Sequence, residues 1–470
     1  MVNGATYIRR ELLIRLVRAF DDGVLREEID QIPIKLRPKD SDASRCCIYH
    51  DRAVLKYRLM ALLGISAEEE TDEAKTLSAY LDEIIDGEVR EINEDNDFER
   101  KTAPLSVCPP ACSGCPDARV VSTSNCRGCF ARPCVYNCPK NAITVTNGRS
   151  QIDAAKCIKC GKCISACPYH AIVKTTVPCE EACPVGAIRK NERGVAKIDF
   201  SKCIFCGKCF MSCPFGAVME RSQIVAVLLA MKRGEKLVAM VAPAADRQFP
   251  GTVEQLLAAC IKAGFSDVIE VALGAEKTTE HETAEFLERM EKDSKTFMTT
   301  SCCPAYVNLI GKHLPELIDN VSLTPSPMVY THEIIRETNP HAKTVFIGPC
   351  VAKRSEARRK GIDFVLSFEE LGAILAGRKI DVLACEAHPI DRPAAATARN
   401  FARSCGVTEA VLAEATAKLP GFQLSSKQIN GIDRKTCSML KLYASGKLPA
   451  NFLEVMACPG GCVNGPCSLT

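Results

Sequence analysis

Four cysteines spaced Cys157-x2-Cys160-x2-Cys163-x3-Cys167, followed at once by Pro168, constrain this chain more than any other feature. The spacing returns at Cys203-x2-Cys206-x2-Cys209-x3-Cys213-Pro214, with a looser copy at Cys126-x2-Cys129-x4-Cys134-x3-Cys138-Pro139. In such a run three closely spaced thiolates wrap one corner of a 4Fe–4S cubane. The fourth, beside proline, crosses to a second cluster. A segment of this kind folds around its metal centres rather than around an apolar core. Residues 106–218 hold 17 of the 29 cysteines. A disulfide scaffold of that density would be short and secreted. A chain of 470 residues without a signal-peptide pattern points instead to metal-bound thiolates and a cytoplasmic setting.

The crossing rule predicts the pairing. One cubane takes Cys126, Cys129, Cys134 and Cys167, and a second takes Cys157, Cys160, Cys163 and Cys138. The segment Ala142–Ala155 has the length of a hairpin joining the two halves of this module. The next module lacks the start of one run, since Cys179-x3-Cys183-Pro184 stands alone. Cys183 still completes a cubane with Cys203, Cys206 and Cys209, leaving Cys179 and Cys213 as half a site. Upstream, Cys108-x3-Cys112-x2-Cys115 offers three unassigned thiols, and Cys112 and Cys115 have the better spacing for closing a fourth cubane. Four-cysteine zinc sites also use x2 spacings, so zinc is the competing reading, most of all for the Cys108–Cys115 group. Three or four cubanes in one chain imply a path for single electrons between a surface partner and a buried centre.

The rest of the chain divides by character. Residues 1–105 read as a helical region, with apolar positions at helical spacing in Leu12–Ala19 and Ala53–Leu63. The acid-rich stretch Glu68–Glu99 reads as a linker toward Pro104, and Cys46 and Cys47 as two packed thiols ahead of a helix. The start, Met1 to Phe20, is Arg-rich and amphipathic as a transit peptide would be, but Glu11, Asp21 and Asp22 fit an ordinary helix better. Residues 106–218 form a ferredoxin-like α+β region. Residues 219–470 read as an α/β domain, with strands at Leu237–Val241, Val268–Val271 and Thr344–Ile347 among helical stretches. A net charge of +3 gives no nucleic-acid or membrane surface, and no apolar run reaches the ~18 residues of a membrane span.

Three segments of the last domain carry cysteines in another setting: Thr300-Ser301-Cys302-Cys303-Pro304-Ala305-Tyr306, Gly348-Pro349-Cys350-Val351-Ala352-Lys353-Arg354-Ser355-Glu356, and Glu454-Val455-Met456-Ala457-Cys458-Pro459-Gly460-Gly461-Cys462-Val463-Asn464-Gly465. None has the ferredoxin spacing. Gathered from three loops, Cys303, Cys350, Cys458 and Cys462 make a further cluster plausible. At these residues the chain resembles the FeFe-hydrogenases, or iron-only hydrogenases. The three segments match that family's signature motifs in order, behind ferredoxin-type modules, over about residues 106–467. The Tyr306 variant and the cysteine-rich front half look most like its group B branch.

The resemblance implies reversible reduction of protons to H2 at an H-cluster. This is a 4Fe–4S cube bridged through a cysteine sulfur to a two-iron subcluster with carbon monoxide, cyanide and an azadithiolate. By motif position Cys303, Cys350, Cys458 and Cys462 hold the cube, and Cys462 is the bridging thiolate. Lys353 donates to a cyanide, and Ala242–Pro243, Ser326–Pro327 and Met456 line the pocket. Cys302 is the free thiol that passes protons, against a bland reading as a packed small hydrophobe. Glu282, Glu285 and Arg289 fall on one helix face at i, i+3 and i+7. The family's proton path matches Glu282, Ser322, Glu285 and Arg289. The bland alternatives are a capping box at Thr279-x2-Glu282 and a surface ion pair at Glu285–Arg289. Electrons come from a ferredoxin-type carrier, and maturation proteins install the H-cluster. Two other classes compete: an iron–sulfur assembly or sensory protein without the two-iron unit, and a non-catalytic polyferredoxin.

The chain also departs from the family. Gly348 stands where the second motif has methionine, which would leave space or water. Met328 replaces a glutamine after Ser-Pro, and the third motif runs through Gly465-Pro466-Cys467 to Thr470. Packing is the default reading for Cys260, Cys385, Cys405, Cys437 and Cys467.

Overall fold

The computed structural model describes residues 3–70, 72–86, 102–112, 114–293, 297–390, 392–446 and 450–469. Of the expected linker Glu68–Glu99, residues 71 and 87–99 lie outside them; the described remainder is no simple linker, because it holds the helix Leu77–Ile85, whose Leu77, Tyr80 and Leu81 are buried in the core. Asn3 caps the helix Gly4–Asp21 through the Thr6 amide. Leu12, Leu13, Leu16 and Val17 on this helix are fully buried. They share one core with the C-terminal half, packing beside the helix Phe368–Gly377. The Arg9 guanidinium adds a buried ion pair to Glu369 at 2.5 Å. The N-terminal helices Ile48–Leu62 and Leu77–Ile85 join the same core.

The cysteine-rich region contains two modules of one design. In the first, Arg119–Ser122 pairs antiparallel with Ile172–Thr175, and Ile143–Thr146 forms a hairpin with Arg149–Ile152. The turn is Asn147-Gly148, both at positive φ, the pair that suits a two-residue hairpin. In the second, Ile188–Lys190 and Ala196–Ile198 make the hairpin. The outer pair is Val218–Glu220 with Leu105–Val107, a strand that precedes the whole first module in sequence. The first module is therefore inserted within the second, and Leu105–Val107 delivers the Cys108–Cys115 loop to it. This strand straddles the division expected at residue 105.

The C-terminal half is α/β. A parallel sheet runs in the order Asp267–Glu270, Leu237–Val241, Lys343–Ile347, Phe364–Leu366. A second parallel sheet is ordered Met298–Thr299, Phe452–Met456, Ser426–Asn430. Leu237–Val241 is buried at every residue, as a strand covered on both faces must be. Ligands of such sheets bind beyond the carboxyl ends of the strands. Those ends lead here directly into Ala242–Pro243, Thr300–Cys303, Gly348–Cys350 and Ala457–Cys458. Among the described residues, no helix is long and apolar enough to cross a membrane.

Candidate metal and proton-transfer centre

The thiols of the two modules fall into four neighbourhoods. Cys134 lies within electrostatic range of Cys129 and Cys167, and Cys163 within range of Cys157, Cys160 and Cys138. Cys203 and Cys206 both feel Cys183, and Cys209 feels Cys203, Cys206 and Cys183. Cys179 is surrounded by Cys213, Cys112 and Cys115. Among the described residues no three Cys, His, Asp or Glu side chains close on a point that would hold a single ion. A cubane spreads its four thiolates over four corners.

Amide donors repeat across both modules. The last thiol of each cysteine run, ahead of its proline, accepts from the alanine four residues on: Cys138 from Ala142 at 3.3 Å, Cys167 from Ala171 at 3.4 Å, Cys183 from Ala187 at 3.2 Å and Cys213 from Ala217 at 3.3 Å. Amide hydrogen bonds to sulfur are among the features that set an iron–sulfur potential. Cys126 accepts from the hairpin amide of Ser150 at 3.3 Å, and Cys112 accepts from the hairpin amide of Ala196 at 3.1 Å. Cys112 thus occupies in the second module the place that Cys126 has in the first. Cys108 instead turns toward the Val54 carbonyl, 3.8 Å away. The Ser150 hydroxyl and amide lower Cys126 to about 7, whereas burial raises Cys179 to about 12. A Cys112→Ala/Cys115→Ala chain should lose about four irons against the loaded parent. Unchanged iron content would remove this pair from the set.

At the carboxyl ends of the two sheets, Cys303, Cys350, Cys458 and Cys462 come together. Cys458 lies within range of Cys350, Cys462 and Cys303, and also of Cys206 in the neighbouring set. Burial, followed by the repulsion of the neighbouring thiols, raises Cys462 to about 12 and Cys458 well above the ordinary range. Several thiols crowded where ionisation is penalised are explained when a metal takes their protons' place. These residues border a cavity of about 80 Å³ whose other walls are Ala242, Pro243, Pro327, Met328, Phe346 and Met456, with Cys302 and Lys353 also on its surface. An apolar chamber with a thiol set at one side fits an H-cluster by donor chemistry. Pro304 and Pro327 begin the helices Pro304–His313 and Pro327–Thr338, where proline's missing N–H costs nothing.

Lys353 is buried, and its Nζ reaches Glu356 Oε2 at 2.6 Å, Ser326 Oγ at 2.9 Å and the Cys302 carbonyl at 3.4 Å. Burial opposes the charge, but Glu356 outweighs it and holds Lys353 above its ordinary value. All three ammonium protons therefore face protein acceptors, and the long contact to Cys302 is the one a bound anion could most readily take over. Glu356 closes the second cysteine segment, and its pairing with Lys353 follows from the helical i, i+3 spacing of the two.

The partly buried thiol of Cys302, pushed up first by burial and then by Glu282 and the neighbouring thiols, lies within electrostatic range of Glu282. Glu282 is fully buried, and among the described residues neither carboxyl oxygen has a hydrogen-bond partner of good geometry. Burial, followed by the charge of Glu285, raises it to about 8, against the Ser301 amide and Ser322 hydroxyl, which approach and favour the charged form. Ser322 Oγ donates to Glu285 Oε2 at 2.7 Å, and Arg289 donates to Glu285 Oε1 at 2.6 Å, with both charged side chains partly exposed. Thr324, absent from the sequence reading, also donates to Glu285 Oε2 at 3.0 Å. The capping box is excluded: Thr279 sits inside the helix Ala272–Lys292 and donates to Ala275 O at 2.8 Å.

Two other expectations are corrected. Gly348 leaves no void, because a Cβ there would stand 2.7 Å from the Phe346 ring, which occupies the space beside it. Cys46 and Cys47 are exposed rather than packed; Cys47 caps the helix Ile48–Leu62, accepting from the His50 amide at 3.4 Å. Cys260, Cys385 and Cys467 are buried, with Cys405 and Cys437 intermediate. Cys467 directs its thiol at Glu220 Oε2, 3.2 Å away.

Residues 235–466 match the family described as iron only hydrogenase large subunit, C-terminal domain. Residues 174–217 match a 4Fe-4S dicluster domain and residues 150–173 a 4Fe-4S binding domain. The chain is 31% identical over 374 residues to the periplasmic Fe hydrogenase large subunit of Nitratidesulfovibrio vulgaris, covering 67% of this chain and 85% of that one. It is 27% identical over 390 residues to iron hydrogenase 1 of Clostridium pasteurianum, covering 70% of this chain and 66% of that longer protein. It is also 23% identical over 263 residues to the cytosolic Fe-S cluster assembly factor NAR1 of Eremothecium gossypii, covering 43% and 58%. The length and identity of the Nitratidesulfovibrio match show that the chain belongs to the iron-only hydrogenase family.

Proposed function

We propose that this protein catalyses 2 H⁺ + 2 e⁻ ⇌ H2 in the cytoplasm, as a group B-like member of its family. The observation that carries this reading is Glu282: a fully buried carboxyl without a hydrogen-bond partner of good geometry among the described residues, set between Cys302 and the Ser322–Glu285–Arg289 chain. Leaving such a group unpaired costs roughly 1–3 kcal/mol. A protein that only stored or handed on clusters would have no use for it.

In this reading Cys303, Cys350, Cys458 and Cys462 would hold the H-cluster. When bound, that group supplies the redox chemistry that joins protons and electrons into H2. The chain's residues do the remainder. Ala242, Pro243, Pro327, Met328 and Phe346 exclude water. Lys353 offers a buried positive charge on the chamber wall. Cys302 gives or takes a proton at its Sγ, Glu282 relays it at its carboxyl, and Ser322, Glu285 and Arg289 continue the route to solvent. The four accessory thiol sets carry single electrons from a ferredoxin-type partner, and Cys206 beside Cys458 is the junction with the catalytic cube. Residues 1–105 brace the catalytic domain, 219–470, and 106–218 form the electron path.

Hydrogen evolution from reduced methyl viologen, by protein matured with the H-cluster machinery, tests the activity. The expectation is turnover well above that of the same chain carrying cubanes alone. Equal rates would favour a second reading, prompted by the likeness to the assembly factor, in which the protein carries clusters without catalysis.

A further inference from the structure

We infer that the first ferredoxin-like module is a cationic docking face for an acidic one-electron carrier protein, a proposal that rests on the cluster reading above. Residues 123–170 contain seven Lys and Arg and one carboxylate, Asp153, in a chain whose total charge is only +3. All seven cations are exposed: Arg127, Arg132, Lys140, Arg149, Lys156, Lys159 and Lys162. They lie in and beside the two cysteine loops, so the charge is arranged around the electron entry points. Among the described residues Lys156 alone of these is near a carboxylate, 3.8 Å from Asp153.

The charge is not a general need of cubane-binding loops. Residues 178–217 hold two further thiol sets with six cations against four carboxylates, including Glu180 and Glu181. Nor is the face covered by the rest of the chain among the described residues. The module's strands and helices pack chiefly on one another around a small core of Val120, Ile143 and Ile172. Large apolar side chains stand in solvent among the cations: Phe130 is fully exposed and Tyr136 is 83% exposed, with Ile158 and Tyr169 at least half exposed. Exposed aromatics within a charged rim mark a protein-interaction surface. The opposite charge on a partner would raise the encounter rate and orient it, at a strength that falls with salt. Cys160 is itself exposed, so a docked carrier would come close to its cluster.

The test uses the iron-loaded full chain. Its accessory clusters are reduced in stopped flow, either by a dithionite-reduced acidic bacterial ferredoxin or by reduced methyl viologen, a small cation that needs no docking face. In Lys140→Glu/Arg149→Glu/Lys162→Glu, with iron content equal to the parent, reduction by ferredoxin at low salt should fall at least about ten-fold. Its salt dependence should flatten, while the viologen rate holds. Phe130→Ala should slow ferredoxin alone and leave the salt dependence intact. A ferredoxin rate unchanged by the triple charge reversal would overturn the docking face while leaving the clusters in place. A parent chain that binds no iron would overturn both the docking face and the cluster reading beneath it.

Discussion

Replacing Cys302 by alanine should lower hydrogen evolution by about 10²–10⁴-fold, the range a positioned proton-transfer group contributes. Iron content and the electronic absorption of the clusters should remain those of the parent. The expectation follows from position. Cys302 precedes Cys303 at the carboxyl end of Met298–Thr299, borders the same cavity, and lies within electrostatic range of Glu282. Burial raises its thiol as it raises those of Cys350, Cys458 and Cys462, so its place beside Glu282, rather than the shift, sets it apart as the proton donor. Cys302→Ser tests the same point from the other side: a hydroxyl keeps hydrogen-bonding capacity but gives up its proton far less readily, so activity should stay low. Loss of iron together with activity would make Cys302 a ligand. Retention of most activity would remove it from the proton route.

Glu282→Gln should produce a loss of similar size, again with the clusters intact, because the amide fills the same volume but cannot relay a proton. The carboxyl also leaves a signature independent of turnover. It is raised in the folded protein to about 8, against an ordinary value near 4.5. Below the ordinary value both folded and unfolded chains are protonated and the group is neutral in its effect. As pH rises toward 8 the unfolded chain has already released its proton while the folded one retains it, and stability falls; above that the loss is complete. Between pH 6 and 9 the parent should therefore lose on the order of 2 kcal/mol that Glu282→Gln does not. Melting curves of the loaded proteins at the two pH values measure the difference. Parallel pH dependence in the two proteins would mean that Glu282 is not held protonated by burial.

Much of this arrangement is legible in sequence because cysteine spacing is a geometric instruction. The x2 intervals and the proline after the fourth cysteine gather Cys157, Cys160 and Cys163 and send Cys167 elsewhere, and Cys134 indeed feels Cys167. Strands such as Leu237–Val241 read clearly because both faces are buried and the run is uniformly apolar. Glu282, Glu285 and Arg289 read clearly because a helix repeats its faces at 3.6 residues. What sequence hides is contact between distant segments. Leu105–Val107 completes a sheet with Val218–Glu220 across more than a hundred residues, and only that pairing shows why Cys112, rather than Cys108, mirrors Cys126. The Phe346 ring beside Gly348 is hidden for another reason. Residues two apart in an extended strand point to the same side, but only three-dimensional packing decides whether one takes over the other's space. The exposure of Cys46 and Cys47 escapes because a thiol's usual burial is a tendency of the residue type rather than a property of its neighbours.

The two-iron unit separates a hydrogenase from a protein that merely carries cubanes, and only its carbon monoxide and cyanide ligands absorb in an otherwise empty part of the infrared spectrum. Infrared spectroscopy of the matured protein should therefore show carbonyl and cyanide stretching bands, with the cyanide bands displaced in Lys353→Met, which removes the buried ammonium from the chamber wall. A fully iron-loaded, matured protein with neither set of bands would contradict the assignment of this chain as a hydrogenase.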